Sequence, residues 1–393
     1  MNPPADRISR VNTPNAELVV DVAAIRHNVR RLKEWVGPGV QMMTVVKGDG
    51  YGHGMVPAAR AAREAGAEWL GVATLEEALT VRASGDTGRL LCWLGVPGQD
   101  FAPLVDADVD VTAYTVTELD EIRAAARATG ARARVQLKVD TGLSRGGSTA
   151  ADWPALVAAA RSAELAGEVA ITGIWSHLAA SEDPAHPAND AQEKAFLGAL
   201  EVAEAAGLRP EVRHLANSAG AVLRPSVRFD LVRCGIASYG LDPAPGETPP
   251  ELDLVPAMTA RARLAMVKPI EAGAGVSYGH LWVADAPTTV GLVPVGYADG
   301  VPRHGSDVLE VAVHGERRPV RGRICMDQFV IDLGPASAAA AGDEVLLFGT
   351  GAHGEPTASE WAAWCDTINY EIVTRIGGRF VRVVVDSSPE GHA

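Results

Sequence analysis

Residues 41–54 read QMMTVVKGDGYGHG. A near-continuous apolar run ends in Lys47, and a glycine-rich loop follows. Runs of this kind mark strands buried on both faces, the signature of a parallel sheet. A lysine at the carboxyl end of such a strand is drawn out of water. Desolvation lowers its proton affinity and favours the neutral amine, the form that attacks an aldehyde. The alternative is a surface lysine beside a flexible loop. The loop misses the dinucleotide fingerprint, because Met55 stands where a third glycine belongs.

Working outward, seven more apolar runs lie at 69–74, 90–95, 109–115, 134–139, 169–176, 212–216 and 231–236. Between them, 56–65, 75–84, 117–129, 154–166 and 191–206 are rich in Ala, Glu and Arg at helical spacing. Eight strands alternating with helices predict an α/β fold, an N-terminal (β/α)8 TIM-type barrel; an open doubly wound sheet is the alternative. Before the first strand, Asp21 caps a predicted helix over 22–36, with Val22, Ile25, Val29, Leu32 and Val36 on one face. The run at 17–20 reads as a short strand that fits another sheet. The stretch 241–256 carries five prolines and reads as a connection. Beyond it, 258–268, 289–296, 309–313, 318–324, 328–333, 344–348 and 380–385 are strand-like, with helical pattern at 357–366 and 369–376. The expected domains are a barrel over 1–256 and a mostly-β C-terminal domain over 257–393, with 17–20 as a candidate strand of the latter.

The 393 residues are 47% hydrophobic and 21% charged, the balance of a folded chain of two domains. Thirty-five basic against 49 acidic residues leave a formal charge of −14, which argues against nucleic acid as partner. Residues 1–20 hold no apolar leader segment, and no stretch is long and apolar enough to span a membrane. Four scattered cysteines read as reduced thiols, so the expected location is cytoplasmic. Ten histidines show no paired ligand spacing, and no metal is expected.

A (β/α)8 barrel carries its active site at the carboxyl ends of its strands, and its last two loops often hold phosphate. The polar residues fall there: Lys47, Lys138 with Asp140 to Arg145, Ser176-His177, then His214, Asn217 and Ser218, and Arg233 with Gly235-Ile236. Each alone has a plain reading as a satisfied core group or a cap; their shared layer is what points to a site. Tyr51, Tyr239 and Tyr278 each precede a glycine, while Tyr297 and Tyr370 sit in polar sequence. Tyr114 reads as routine strand packing.

These motifs together resemble the alanine racemase family. They are VVK with YGHG at 45–54, KVDTGLSR at 138–145, HLANSAG at 214–220, RCGI at 233–236, SYG at 277–279, GYADG at 296–300, GRICMD at 322–327 and INYEI at 368–372. The likeness runs in order from about residue 17 to 382. It implies a homodimeric enzyme that uses pyridoxal 5'-phosphate to interconvert L-alanine and D-alanine, supplying D-alanine for peptidoglycan. Lys47 matches the lysine that bonds the cofactor aldehyde and serves as acid/base on one face of the α-carbon. Tyr278 matches the tyrosine that the other subunit gives to the opposite face, so the active sites are shared. Arg233 matches the arginine at the pyridine nitrogen, and His177 its histidine neighbour. Tyr51, Ser218, Gly235, Ile236 and Tyr370 match the phosphate ligands, with Asn217 beside them. Arg145 and Met326 match groups at the substrate carboxylate. Lys138, often carbamylated, supports Arg145; Tyr297 and Asp327 are further supporting positions. Gly48 and Gly50 depart from the usual alanines. The same scaffold also serves racemases of serine, lysine or arginine, decarboxylases, and non-catalytic cofactor carriers; a second domain with Tyr278 argues against the carrier.

Overall fold

The structure, a computed structural model, describes residues 14–387. The leader reading of 1–20 therefore falls partly, over 1–13, outside the described residues, as do 388–393. The described residues divide into two compact units, Val22–Val255, and Pro256–Asp386 together with 14–21.

The first unit opens with a helix, Val22–Val36, that buries Ile25, Val29, Leu32 and Val36. Eight parallel strands follow in one sheet: Gln41–Val45, Trp69–Val72, Arg89–Cys92, Asp110–Ala113, Ala133–Lys138, Val169–Trp175, Val212–His214 and Leu231–Cys234. The first seven strands are neighbours in the sheet in sequence order, and the first also pairs with the eighth. The seam between strands seven and eight is bridged by two backbone bonds, Arg233 N–H to the Ala216 carbonyl at 3.0 Å and Asp230 N–H to that of Arg213 at 3.1 Å. The barrel is nearly closed, as the alternation predicts. Its strand residues are almost all buried, which is why the strands read as apolar runs instead of alternating ones. At the amino end, buried Asp110 takes Arg89, Arg134 and Thr172, so its charge is paired and hydrogen-bonded.

The second unit is built on a nine-stranded sheet. Its order is Met266–Ile270, Thr288–Val293, Phe329–Gly334, Glu316–Arg321, Glu310–Val313, Glu344–Phe348, Met258–Arg263, Ala16–Asp21 and Val381–Val385. Ala16–Asp21 runs antiparallel to Met258–Arg263 and parallel to Val381–Val385. The single run read at 258–268 is two strands, broken at Leu264 and Ala265. Pro269, which cannot donate to a ladder, is tolerated because Met266–Ile270 is an edge strand. Two helices, Ala358–Trp364 and Asn369–Arg375, complete this unit; the first starts with a capping box between Thr357 and Glu360. A separate pair of two-residue strands, Gly275–Val276 and Trp282–Val283, too short for any periodicity, carries Tyr278 between them.

Among the described residues, no helix is long and apolar enough to cross a membrane, and no cluster of His, Cys, Asp or Glu has the makings of a metal site. All four cysteines are free thiols.

Candidate functional site

The barrel strands deliver their polar residues to one end. After the first strand the backbone turns left-handed: Gly48, Asp49, Gly50 and Tyr51 have φ of 61°, 53°, 65° and 53°. The turn is closed by Gly50 N–H to the Val46 carbonyl and Gly52 N–H to that of Gly48. L-residues with a Cβ lose roughly 1–2 kcal/mol each in this region, so glycine at two of the four positions removes part of that cost. Two carboxylates anchor the turn. Asp49 accepts from the Met55 N–H at 2.8 Å. Glu77 accepts from the Gly48 N–H at 2.7 Å while capping its own helix through Thr74.

Lys47, half-buried at the start of this turn, has its proton affinity lowered, first by burial and then by Arg145 and Arg233, against a raising effect of Glu77. Its Nζ lies 5.8 Å from the Trp93 ring centre. Lys138 is 6% exposed. Its Nζ sits over two rings, 4.5 Å from Trp175 and 5.2 Å from Tyr114. Burial, then the cations Arg233 and Arg145, pull it down to about 8. Tyr114 is thus a neighbour of the lysine cluster and not routine strand packing.

Arg233 is 4% exposed and is held entirely by neutral acceptors. They are His214 Nδ1 at 2.9 Å, His177 Nδ1 at 3.2 Å, and the carbonyls of Ser176 at 2.8 Å and Leu215 at 3.0 Å. Its guanidinium also lies 4.9 Å from the Trp175 ring. Guanidinium only donates, so both imidazoles must offer a bare Nδ1. Burial, then Arg233, push both histidines well below their usual range, so both are neutral near pH 7. His214 donates its Nε2–H to Gln136 Oε1 at 2.7 Å, which fixes its tautomer.

Gln136 is a residue that sequence reasoning missed. It lies two positions before Lys138 on the same strand, in a run that reads simply as core. Gln136→Leu leaves the buried His214 N–H without an acceptor. The expected loss is about 1–3 kcal/mol of stability, from the desolvation cost of that group. Thermal melting checks it, together with the ring nitrogen resonances of His214, which should show mixed tautomers. An unchanged melt and a single tautomer would remove Gln136 from this role.

Ser218 begins a short helix capped by Asn217, whose side-chain oxygen accepts from the Gly220 N–H at 3.0 Å and from the Ser181 hydroxyl at 2.8 Å. Ser218 Oγ accepts from the Gly235 N–H at 2.9 Å, so its own O–H is left to donate. Gly235 leads into Ile236 and a single 3-10 turn. A Cβ on Gly235 would lie 2.2 Å from the Tyr51 hydroxyl, so only glycine lets that phenol rest against the backbone. Tyr239, fully buried, backs this corner: its ring is 5.1 Å from that of Tyr51 and stacks 4.5 Å from His53, and its hydroxyl donates to the Val45 carbonyl. The barrel therefore brings together Lys47, Lys138, Arg145, Arg233, His177, Ser218, Gly235 and Tyr51. The positive charges there are Lys47, Lys138, Arg145 and Arg233, set against Glu77 and Asp140.

The other candidates lie in the second unit. Tyr278 is 73% exposed. Met326 is also exposed; its carbonyl accepts from the Ala298 N–H, and the Cys325 carbonyl accepts from that of Tyr297. Asp327 pairs with Arg379 at 2.7 Å, and Arg379 also binds buried Asp299. Tyr370 lies half-buried near the start of the last helix.

Residues 20–243 match the family model for the alanine racemase N-terminal domain, and residues 257–384 that for the C-terminal domain. The chain belongs to the alanine racemase family. An alanine racemase of Salinispora arenicola is 52% identical over 92% of this chain and 96% of its own length. That of Streptomyces coelicolor is 51% identical over 94% and 96%. Among solved structures, the alanine racemase from D-cycloserine-producing Streptomyces lavendulae superposes with a TM-score of 0.93 at 50% identity, covering 98% of this chain and all of that one. An alanine racemase from Bacillus anthracis, solved with bound L-Ala-P, is 33% identical with a TM-score of 0.87, over 96% of each chain. Family membership makes this protein an isomerase, an alanine racemase that interconverts the L and D forms of alanine.

Proposed function

We propose that this alanine racemase works with pyridoxal 5'-phosphate held at Lys47, by two-base proton transfer at the α-carbon: Lys47 on one face and Tyr278 of the partner subunit on the other, one taking the α-proton while the other supplies its own. The observation that carries it is the cationic barrel end, in which a lysine of lowered proton affinity lies beside an arginine held by neutral acceptors alone. The group fits these residues. A phosphate dianion suits the surplus positive charge, and the Tyr51, Ser218 and Gly235–Ile236 corner offers a hydroxyl donor against bare backbone. Tyr370, as a further phosphate ligand, and Asn217 beside them rest on family membership.

When bound, pyridoxal phosphate acidifies the Cα–H of the amino acid it holds. Lys47 is suited to take the α-proton from its face in one direction, because its surroundings favour the neutral amine, and to supply a proton to that face in the other. Two bases on opposite faces are required, since a single base returns the proton to the side it came from. Arg233 can only donate, so a ring nitrogen set against it stays unprotonated, which favours simple proton return over transamination. His177 and His214 hold Arg233 in place. Arg145, with the Met326 backbone, is assigned to the substrate carboxylate. Lys138, down at about 8, readily gives up one proton to become a free amine, which takes up carbon dioxide as a carbamate with release of a second proton, so that a cation becomes an anion beside Arg145. Tyr297 and Asp327 support the tyrosine-bearing unit, the latter through Arg379.

The exposed apolar residues Tyr278, Leu281, Val283, Tyr297 and Met326 of the second unit support a homodimer that covers them. The enzyme is assigned to the cytoplasm, where D-alanine is made for peptidoglycan. Conversion of L-alanine to D-alanine by the purified protein, run beside serine, lysine and arginine, tests the assignment; alanine should be turned over fastest, and faster turnover of another amino acid would replace it. Ser218→Ala should weaken cofactor retention about tenfold in equilibrium dialysis, the scale of one hydrogen bond to a charged group. Unchanged retention would remove Ser218 from the phosphate site.

A further inference from the structure

The segment that presents Tyr278 is strained in its backbone. Ser277 has φ 60° and ψ −169°, a region that essentially only glycine enters without cost. Two positions on, Gly279 is at φ 74°, and His280 is at φ 45°. Of the three positive-φ positions in this turn, the serine occupies the one whose ψ also lies where essentially only glycine is found. Something must compensate, and the side chain shows what does. Ser277 Oγ donates to the Arg323 carbonyl at 2.6 Å and lies 3.4 Å from Cys325 Sγ. The chain that supplies that carbonyl comes in unusually close: a Cβ on Gly322 would stand 2.5 Å from the Val276 carbonyl oxygen and 3.0 Å from Ser277 Cβ. The 275–283 segment is thus clamped onto 322–325 at one point, immediately before the tyrosine. Tyr278 itself is 73% exposed, so its own unit gives the ring little support and its direction is set by the backbone that Ser277 holds.

We propose that Ser277 is a positioning residue for Tyr278: its hydroxyl clamps the tyrosine turn to the Arg323 carbonyl, and the strained backbone is the cost of aiming the phenol. This rests on the reading of Tyr278 as the base for one face. Strained residues held by an over-determined surrounding concentrate where geometry must be fixed before reaction. A proton-transferring group displaced by about 1 Å can lose about 100-fold in rate.

The test compares S277A, S277G and S277T with Y278F, all as cofactor-loaded enzyme. S277A keeps the strain and loses the clamp; S277G loses both; S277T keeps the hydroxyl. S277G should melt higher than S277A, because glycine relieves the backbone. Amide hydrogen exchange over 275–283 should quicken in S277A and S277G but not in S277T. Turnover of alanine should fall about 10–100-fold in S277A and S277G, with KM within about twofold, and S277T should retain most of it. The equilibrium constant of racemisation is one, so kcat/KM must fall equally in both directions. The α-deuterium isotope effect need not, and it should rise for one enantiomer only, the one deprotonated by Tyr278. If S277A and S277G keep full turnover with unaltered isotope effects, Ser277 is only a turn residue and the proposal fails. If Y278F keeps full turnover, the assignment of Tyr278 as base fails; hydrogen exchange then still decides whether the clamp exists.

Discussion

Lys47→Ala is expected to lower alanine racemisation by at least 10³–10⁴-fold, on the scale of losing a positioned acid/base group. The fold should survive, because the change removes a half-buried cation from a cluster that already holds Lys138, Arg145 and Arg233. Borohydride reduction of the loaded wild-type protein, followed by peptide mapping, should place the cofactor on Lys47, and the variant should give no adduct there. A label on Lys138, or racemisation by the variant within tenfold of wild type, would overturn the assignment. Lys138 is the informative competitor. It lies in the same cluster and its proton affinity is lowered too, but it is 6% exposed, between two aromatic rings.

The second large effect comes from mixing. Tyr278→Phe removes only a hydroxyl from an exposed ring and should cost about 10²–10⁴-fold in turnover with no loss of stability. Mixed with Lys47→Ala under conditions where subunits exchange, it should regain activity. In a hybrid dimer with shared sites, one site has Lys47 from one chain and Tyr278 from the other, and the second site is damaged twice. Each hybrid should therefore show about half the activity of a wild-type dimer, as two-fold symmetry requires. If each chain served its own site, both sites of every hybrid would be damaged once and nothing would return. Silence after verified exchange, or a stable monomer that racemises alanine at full rate, would refute sharing.

What the sequence revealed and what it hid have a common physical origin. The eight barrel strands were legible because burial on both faces demands apolar residues throughout, and such runs stand out against Ala- and Glu-rich helices. The helix over 22–36 was legible from its apolar face. The Lys47 loop was visible as glycines, but its left-handed turn, including Asp49 and Tyr51, was not, since residue type only weakly marks positive φ. Tyr278 was singled out by its motif, whereas the two-residue strands that carry it have no period to read. Ser277 lies inside the quoted SYG motif, but serine is common in turns and nothing in its identity announces strain. Gln136 and Tyr114 were missed for another reason: their roles depend on neighbours across the barrel, His214 and Lys138, which sequence distance conceals.

The strand Ala16–Asp21 links the start of the chain to its end, since Glu17 pairs with both Arg261 and Val381. On the ribosome this strand emerges well over 300 residues ahead of its partner Val381–Val385. At about 5–20 residues per second, the delay is roughly 20–70 s. The whole barrel sequence, Val22–Val255, is synthesised within that wait and can fold around its own local contacts. Meanwhile one edge of this strand stays open even after Met258–Arg263 has been made, a template for joining another chain. A chain cut before Val381 would keep every barrel residue and still leave one side of Ala16–Asp21 bare. Solubility on expression should therefore depend on the last strand, Val381–Val385, far more than its five residues of mass would imply.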